Sequence, residues 1–137
     1  MLCHLIHVLL GGECVFFGNG DDADFEQLEL ALDAGTRISG LFCEFPSNPL
    51  LISPDLERLR ELADEHEFLL ACDDTVAGFS NLDLHRPGGV DFTLSSLTKQ
   101  FAGSGNVMGG ALVLNPHSSV RRRRFAEFCV QHTTRVT

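Results

Sequence analysis

The residues best suited to chemistry form one short run, Ser95-Ser96-Leu97-Thr98-Lys99, which follows the apolar stretch 90–94. Lys99 is the only lysine in the chain. An amine held among apolar walls loses part of the solvation of its ammonium form, and the neutral amine can then attack a carbonyl carbon. The run therefore predicts a nucleophilic lysine that forms an imine. The alternative is a solvated lysine just beyond a strand, because most lysines lie at the surface.

Polar side chains follow three apolar runs, including the one that ends near Lys99. The positions are Glu44 and Asn48 around the end of 37–45, Asp73, Asp74 and Thr75 after 68–72, and Ser96, Thr98 and Lys99 after 90–95. If these runs are parallel strands, their carboxyl ends meet at one edge of a sheet, where open α/β sheets bind ligands. The sequence therefore predicts that carboxylate, amide, hydroxyl and amine groups converge there.

One ligand would use all of these groups. A carboxylate can keep a heteroaromatic nitrogen protonated, two hydroxyls can hold a phosphate, an amide can donate to a phenolate oxygen, and a lysine can form an imine. Pyridoxal 5'-phosphate (PLP) has each of these features, so the residues point to PLP as the cofactor. The structural alternative is that Asp73, Ser96 and Thr98 only form or cap turns.

Alternating strands and helices must position these residues. The predicted strands are 13–17, 37–45, 68–72, 90–95 and 108–114. A first helix has Asp24 as N-cap, with Gln27 in the capping box, and ends at Gly35. A second helix has Ser53 as N-cap and begins at Pro54. This order predicts an α/β fold with a mostly parallel sheet and crossover helices.

Each predicted helix has one apolar face at helical spacing. These faces consist of Phe25, Leu28, Ala31 and Leu32 in the first helix, and of Leu56, Leu59, Leu62 and Ala63 in the second. The charged residues of the second helix, Arg60 among them, are expected to face water. The two helices should therefore pack on the sheet through these apolar faces.

The chain carries a formal net charge of -9 that is unevenly distributed. Residues 1–120 contain 18 acids and 5 bases, whereas 121–137 contain 5 bases and one acid. Nucleic-acid binding requires a basic face, so the acidic body argues against a nucleic-acid partner. The run Arg121–Arg124 has no interleaved aromatic residues for stacking on bases. It is interpreted as a solvated or partner-facing segment.

The five cysteines are odd in number and have no metal-binding or redox spacing, so no metal site is predicted. They indicate reduced cysteines in a cytosolic protein, with Cys14, Cys43 and Cys72 as small core residues. The apolar start, 1–10, is too short to span a bilayer and lacks the basic start of a signal peptide. No membrane association is therefore predicted, and this start is interpreted as a truncated segment that packs against something else.

Several motifs resemble, in order, those of the Cys/Met-metabolism PLP-dependent enzymes. They are Glu44-Phe45-Pro46-Ser47-Asn48-Pro49, Asp73-Asp74-Thr75, Ser95-Ser96-Leu97-Thr98-Lys99 and Gly103-Ser104-Gly105-Asn106-Val107-Met108-Gly109-Gly110. The last run is more similar to fungal cystathionine γ-synthase than to members with Gly-His-Ser-Asp there. The resemblance spans about 13–116. It implies part of the large domain of the aspartate-aminotransferase-like fold, PLP fold type I.

The resemblance implies a role for each matching residue. Lys99 would bind the cofactor covalently and shuttle protons. Asp73 would pair with the pyridine nitrogen, with Thr75 as support. Ser96 and Thr98 would contact the phosphate, and Asn48 would contact the ring oxygen. Glu44 matches a family position near the site, with no role that the residues themselves indicate. Asp74 stands where relatives often have Asn.

Other parts of the family's site have no counterpart in the chain, which contains no tyrosine. Family members stack the cofactor ring on a tyrosine, take phosphate contacts from a neighbouring subunit, and bind the substrate carboxylate through an arginine of a smaller domain. The resemblance thus implies a fragment: 1–12 as a truncated lead-in, 13–116 as a partial PLP-binding large domain and 117–137 as a divergent basic tail. The family also implies a homo-oligomer, a dimer or tetramer.

Two classes of function follow. The first is transsulfuration by a PLP enzyme acting on small amino-acid substrates. It would be either a cystathionine γ-synthase-like γ-replacement that joins cysteine to an activated homoserine ester, or a γ-lyase-like or related cleavage. The second is a non-catalytic remnant that binds PLP weakly or acts as an interaction surface. The missing tyrosine and substrate arginine favour the second class for the isolated chain, within a transsulfuration lineage.

Overall fold

The described residues form one mixed sheet with two helices on it. The computed structural model describes residues 3–6 and 14–118, and the run Arg121–Arg124 lies outside them. The elements in chain order are β1 (Cys3–Ile6), β2 (Cys14–Phe17), α1 (Asp22–Asp33), β3 (Gly40–Glu44), α2 (Leu56–Glu65), β4 (Leu69–Asp73), β5 (Phe92–Ser96), a π-helical turn (Thr98–Ala102) and β6 (Gly110–Leu114). Neither helix in this part of the chain is long and apolar enough to cross a membrane.

The sheet has the order β2-β1-β3-β4-β5-β6. Strands β3, β4 and β5 are mutually parallel neighbours, which confirms the predicted α/β class and its crossover helix α2. Strand β1 is antiparallel to both β2 and β3, so β2 and β3 run in the same direction with β1 inserted between them. At the other side β6 is antiparallel to β5. The observed strands β3 and β6 are shorter than the predicted strands 37–45 and 108–114.

The core lies between the helices and one face of the sheet. Its buried members are Phe17, Phe25, Leu28, Leu32, Ile38, Leu41, Cys43, Leu59, Ala63, Phe68, Leu70, Cys72, Leu84 and Val90. Both predicted apolar helix faces therefore pack as expected, with Leu56 and Leu62 partly buried against the core. Cys43 and Cys72 are buried, whereas the prediction of a core position for Cys14 was wrong, because this residue is exposed on β2.

The helix starts differ from the prediction because stronger caps lie nearby. In α1 the N-cap is Asp21, whose side chain accepts a hydrogen bond from the Asp24 N–H at 3.1 Å. Asp24 instead reaches back and accepts from the Gly20 N–H. In α2 the N-cap is Asp55, which accepts from the N–H groups of Glu57 and Arg58 at 3.0 Å each. Gly35 follows the end of α1 with a φ of 89°, as predicted for a left-handed stop.

Arg60 does not face water, contrary to the prediction. The residue is 5% exposed, and its Nη1 donates to the Asp91 carboxylate at 3.3 Å. Asp91 also accepts from the Leu70 N–H at 2.8 Å and from the Ser118 hydroxyl at 3.1 Å. This network joins α2 to the amino ends of β4 and β5, at the sheet edge opposite the carboxyl ends.

Candidate functional site

The carboxyl ends of β3, β4 and β5 form one edge of the sheet. The register pairs Glu44 of β3 with Asp73 of β4, and Asp73 with Leu94 of β5. Side chains alternate along a strand, so Glu44, Asp73 and Ser96 lie on the face opposite the buried Cys43 and the helices. The structure therefore brings these three predicted strand-end residues to one edge and one face.

Asp73 keeps part of its carboxylate available. The residue is half-buried at the end of β4, and its Oδ1 accepts a hydrogen bond from the Thr75 N–H at 2.8 Å. Among residues 3–6 and 14–118, no partner is found for its Oδ2. One oxygen thus fixes the side chain while the other can accept a proton-bearing nitrogen.

Thr75 connects the ends of β4 and β5. Its Oγ1 accepts from the Ser96 N–H at 2.8 Å, and its carbonyl oxygen accepts from the Gln100 side-chain amide at 2.5 Å. Its own N–H holds Asp73. Thr75 therefore makes three separate contacts at this edge, and its role toward a cofactor stays a prediction. The part played by Gln100 gave no signal in the sequence, because it depends on a loop 25 residues earlier.

The two hydroxyls beside Lys99 differ in their partners. In the described chain the Ser96 hydroxyl makes no hydrogen bond. The Thr98 Oγ1 instead accepts from the Gly109 N–H at 3.0 Å and lies 3.4 Å from the Gly109 carbonyl oxygen. Ser96 is thus free to hold an anion, whereas Thr98 would have to share or give up its contact with Gly109.

Lys99 lies in the π-helical turn, which the Gly103 N–H closes by donating to the Thr98 carbonyl at 3.1 Å. The lysine is exposed, and its amine has no hydrogen bond or ion pair within the described ranges. An exposed, unpaired amine is accessible to an aldehyde. It does not lie among apolar walls, contrary to the environment predicted for a nucleophilic lysine.

Asn48 and Glu44 are linked at the end of β3. The Asn48 N–H donates to Glu44 Oε2 at 3.1 Å, and Asn48 itself is exposed. Glu44 thus holds the start of the loop that carries Asn48. This contact gives Glu44 a local structural role, which the sequence motif alone did not indicate.

Asp74 points away from Asp73. It is 4% exposed and accepts a hydrogen bond from the Ser95 hydroxyl, while its N–H donates to the Leu94 carbonyl at 3.0 Å. Ser95 and Ser96 are neighbours on β5 and project to opposite faces, so the Asp74 carboxylate, bonded to Ser95, lies on the face opposite Ser96 and Asp73. Asp74 therefore fastens β4 to β5 from the helix side and does not compete with Asp73 on the open face.

These groups fit PLP. The cofactor needs an amine for its aldehyde, a carboxylate for its pyridine nitrogen and donors for its phosphate. Within the described chain, the Lys99 amine, Asp73 Oδ2 and the Ser96 hydroxyl are all without internal partners, and all three lie at the same end of the parallel strands. The unpaired groups are thus of the types that PLP requires.

Comparison with known proteins agrees with the motifs. The family model described as Cys/Met metabolism PLP-dependent enzyme matches residues 4–133. The match begins within 1–12 and extends into 117–137, and the division of the chain at 12 and 116 stays a prediction. Cystathionine γ-synthase of Neurospora crassa is 48% identical over 104 residues, which are 76% of this chain and 16% of that protein.

Two further relatives, which are assigned different activities, match the same segment. An alanine racemase of Aspergillus violaceofuscus is 44% identical over 106 residues, which are 72% of this chain and 18% of that protein. A solved structure from Campylobacter jejuni, assigned as an O-acetylhomoserine (thiol)-lyase and containing a pyridoxyl-lysine, has a TM-score of 0.54 at 32% identity. The match covers 70% of this chain and 23% of that one. The chain thus spans about a fifth of the length of these relatives.

Proposed function

Because the chain belongs to the PLP-dependent enzymes of Cys/Met metabolism, we propose that it binds PLP at the carboxyl edge of β3–β5 through Lys99. The observation that carries this proposal is the set of unpaired groups there: an amine, a carboxylate oxygen and a hydroxyl. These three groups are accessible at one end of the parallel strands, and their types match the aldehyde, the pyridine nitrogen and the phosphate of PLP.

Each residue has a role in this proposal. Lys99 would hold the cofactor through its aldehyde carbon, with loss of water, and its amine, once displaced by the amino group of the substrate, would move the substrate's Cα proton. Asp73 accepts from the pyridine nitrogen through Oδ2 and is oriented by the Thr75 N–H. Ser96 and Thr98 donate to the phosphate, and Asn48 to the ring oxygen. When bound, PLP withdraws electrons from the Cα of an amino-acid substrate.

The proposed reaction class is transsulfuration, with a cystathionine γ-synthase-like γ-replacement that joins cysteine to an activated homoserine ester. The identity to the Neurospora crassa enzyme supports this choice. A γ-lyase-like reaction is the alternative within the family. The pyridoxyl-lysine in the Campylobacter jejuni structure supports PLP binding by this segment, whereas the similarity to an alanine racemase indicates that the segment does not fix the reaction. Its free cysteines are consistent with a reducing compartment, and we propose the cytoplasm.

A second candidate is PLP binding without turnover by this chain alone. The absence of tyrosine favours it, because the chain supplies no tyrosine ring to stack on the cofactor. Assays of γ-replacement and of cystathionine cleavage at saturating PLP separate the two candidates. Turnover that disappears in Lys99→Ala would support the enzyme, and no turnover of either substrate class would leave binding as the function.

Cofactor binding itself is tested by trapping. The purified chain is mixed with PLP, reduced with borohydride and mapped by peptide mass spectrometry. With a single lysine, the α-amino group is the only other amine, so the modified site is unambiguous. We expect the label on Lys99 at PLP concentrations that leave the α-amino group unmodified. Equal modification of both amines, or label on the α-amino group alone, would contradict the proposal.

A further inference from the structure

The residues on both sides of Lys99 are fastened to neighbouring segments, while the side chain of Lys99 is free. On one side, the Gly109 peptide exchanges hydrogen bonds with Thr98. On the other side, the Gln100 side-chain amide donates to the Thr75 carbonyl. Lys99 itself has no contact of this kind in the described chain. A nucleophile whose main chain is held and whose amine is free is preorganised for its ligand.

A second contact holds the same two segments together. The rings of Phe79 and Phe101 stack with centroids 5.7 Å apart and planes 18° apart, although the residues are 62% and 69% exposed. Next to Phe79 in the chain is Gly78, where a Cβ atom would be 3.4 Å from Gln100 Nε2, so the loop passes close to the Gln100 amide. Loop 75–79 and the π-helical turn therefore meet through one polar and one aromatic contact.

We propose that Gln100, aided by the Phe79–Phe101 stack, is a positioning residue that holds the Lys99 turn against the loop after β4. The same Thr75 that receives Gln100 also orients Asp73 and the Ser96 N–H. Gln100 thus ties the position of the amine to that of the carboxylate. This inference rests on the proposed binding of PLP at Lys99.

Two variants of Gln100 separate its hydrogen bond from its size. Gln100→Glu keeps the length of the side chain but removes the N–H donor, and Gln100→Ala removes both. Gln27→Glu is the matched control, because Gln27 is exposed on α1 and away from this turn. Lys99→Ala identifies any label that is not on the lysine.

The first measurement needs no cofactor. Hydrogen exchange of the peptide covering 97–103 should become faster in both Gln100 variants, and stay unchanged in Gln27→Glu, because the turn loses its tie to Thr75. Equal exchange in the wild type and in Gln100→Glu would overturn the proposal, whatever the result with PLP.

The second measurement titrates PLP with borohydride trapping and counts label on Lys99. A net hydrogen bond corresponds to about a 3- to 10-fold change in an equilibrium, so the half-maximal PLP concentration should rise by about that factor in both Gln100 variants. The α-amino label, and the maximum label on Lys99, should stay the same. Faster exchange with an unchanged half-maximal concentration would overturn the positioning role. A wild type without label on Lys99 would overturn the proposed function first, and this inference with it.

Discussion

At the level of single residues, the candidate site is distinguished by polar groups that have no hydrogen-bond partner within the described chain. Asp73 uses one oxygen internally and keeps the other, whereas its neighbour Asp74 is buried and bonded to Ser95 on the opposite face. The same residue type thus has two roles at adjacent positions. The alternation of the strand decides which carboxylate supports the fold and which can meet a ligand.

Asp73→Asn should weaken PLP binding with little effect on the fold. The amide keeps an acceptor for the Thr75 N–H but carries no charge to hold a protonated ring nitrogen. Hydrogen bonds to charged groups contribute about 1.5–3 kcal/mol, so the half-maximal PLP concentration for Lys99 labelling should rise by about tenfold or more. Asp83→Asn, at an exposed loop position, is the control. An unchanged titration in Asp73→Asn would remove Asp73 from the site.

At the scale of elements, α1 and α2 are joined by an ion pair at the surface. Arg58 donates to both Glu29 oxygens, at 2.7 and 2.8 Å, and its guanidinium lies 4.7 Å from the centre of the Phe25 ring. The hydrogen bond from Arg58 lowers the pKa of Glu29 below its ordinary value of 4.5. The same pair raises the pKa of Arg58. The carboxylate form of Glu29 is therefore the form that the folded chain prefers.

This pair predicts a specific acid dependence of stability. A carboxyl with a lowered folded pKa stabilises the fold above its unfolded pKa, and that contribution is lost as the pH falls through the folded pKa. The free energy of unfolding in urea should therefore fall less steeply below pH 5 in Glu29→Gln than in the wild type. Glu26→Gln, on the exposed side of α1, should follow the wild-type curve. Parallel curves for all three proteins would contradict the prediction.

The buried Arg60–Asp91 pair holds α2 to the far edge of the sheet. Asp91→Ala would leave Arg60 with one carboxylate partner in the described chain, Asp64, whose side chain is 58% exposed. It would also leave the Leu70 N–H and the Ser118 hydroxyl without their acceptor. Breaking a buried ion pair by removing one partner costs about 3–5 kcal/mol. The urea midpoint should fall accordingly, with Asp83→Ala as control. A loss close to that of the control would mean that water replaces the missing carboxylate.

At the scale of the whole molecule, the helices cover one face of the sheet, and the other face keeps apolar side chains accessible. Phe16 on the edge strand β2 is 52% exposed, and Leu112 on the opposite edge strand β6 is 41% exposed. Exposed apolar area on edge strands promotes association between chains. The fold thus predicts limited solubility for this chain on its own.

Leu112→Lys should raise the solubility of the chain severalfold. A charged side chain on β6 removes apolar area and opposes edge-to-edge pairing. Light scattering during a concentration series would give the onset of association. Ser80→Lys adds the same charge at an exposed loop position and serves as the control. An equal gain in both variants would show that the effect does not depend on the sheet face.

The sequence predicted the α/β class, both apolar helix faces and the strand ends that carry the candidate site. These features depend on local patterns: periodicity, turn residues and the polar residues that end apolar runs. It did not predict the true N-caps, because each helix start has two capping residues close together. They are Asp21 and Asp24 at α1, and Ser53 and Asp55 at α2. Nor did it predict the burial of Arg60, whose partner Asp91 is 31 residues away.

The types and order of Lys99, Asp73 and Ser96 predict a PLP site, because each residue type matches one group of the cofactor. Which of these groups lack an internal partner depends on the folded structure. It placed Asp73 and Asp74 on opposite faces, engaged Thr98 with Gly109 and tied Gln100 to Thr75. Those contacts join residues that are distant in the chain, and a local pattern carries no information about which distant groups will meet.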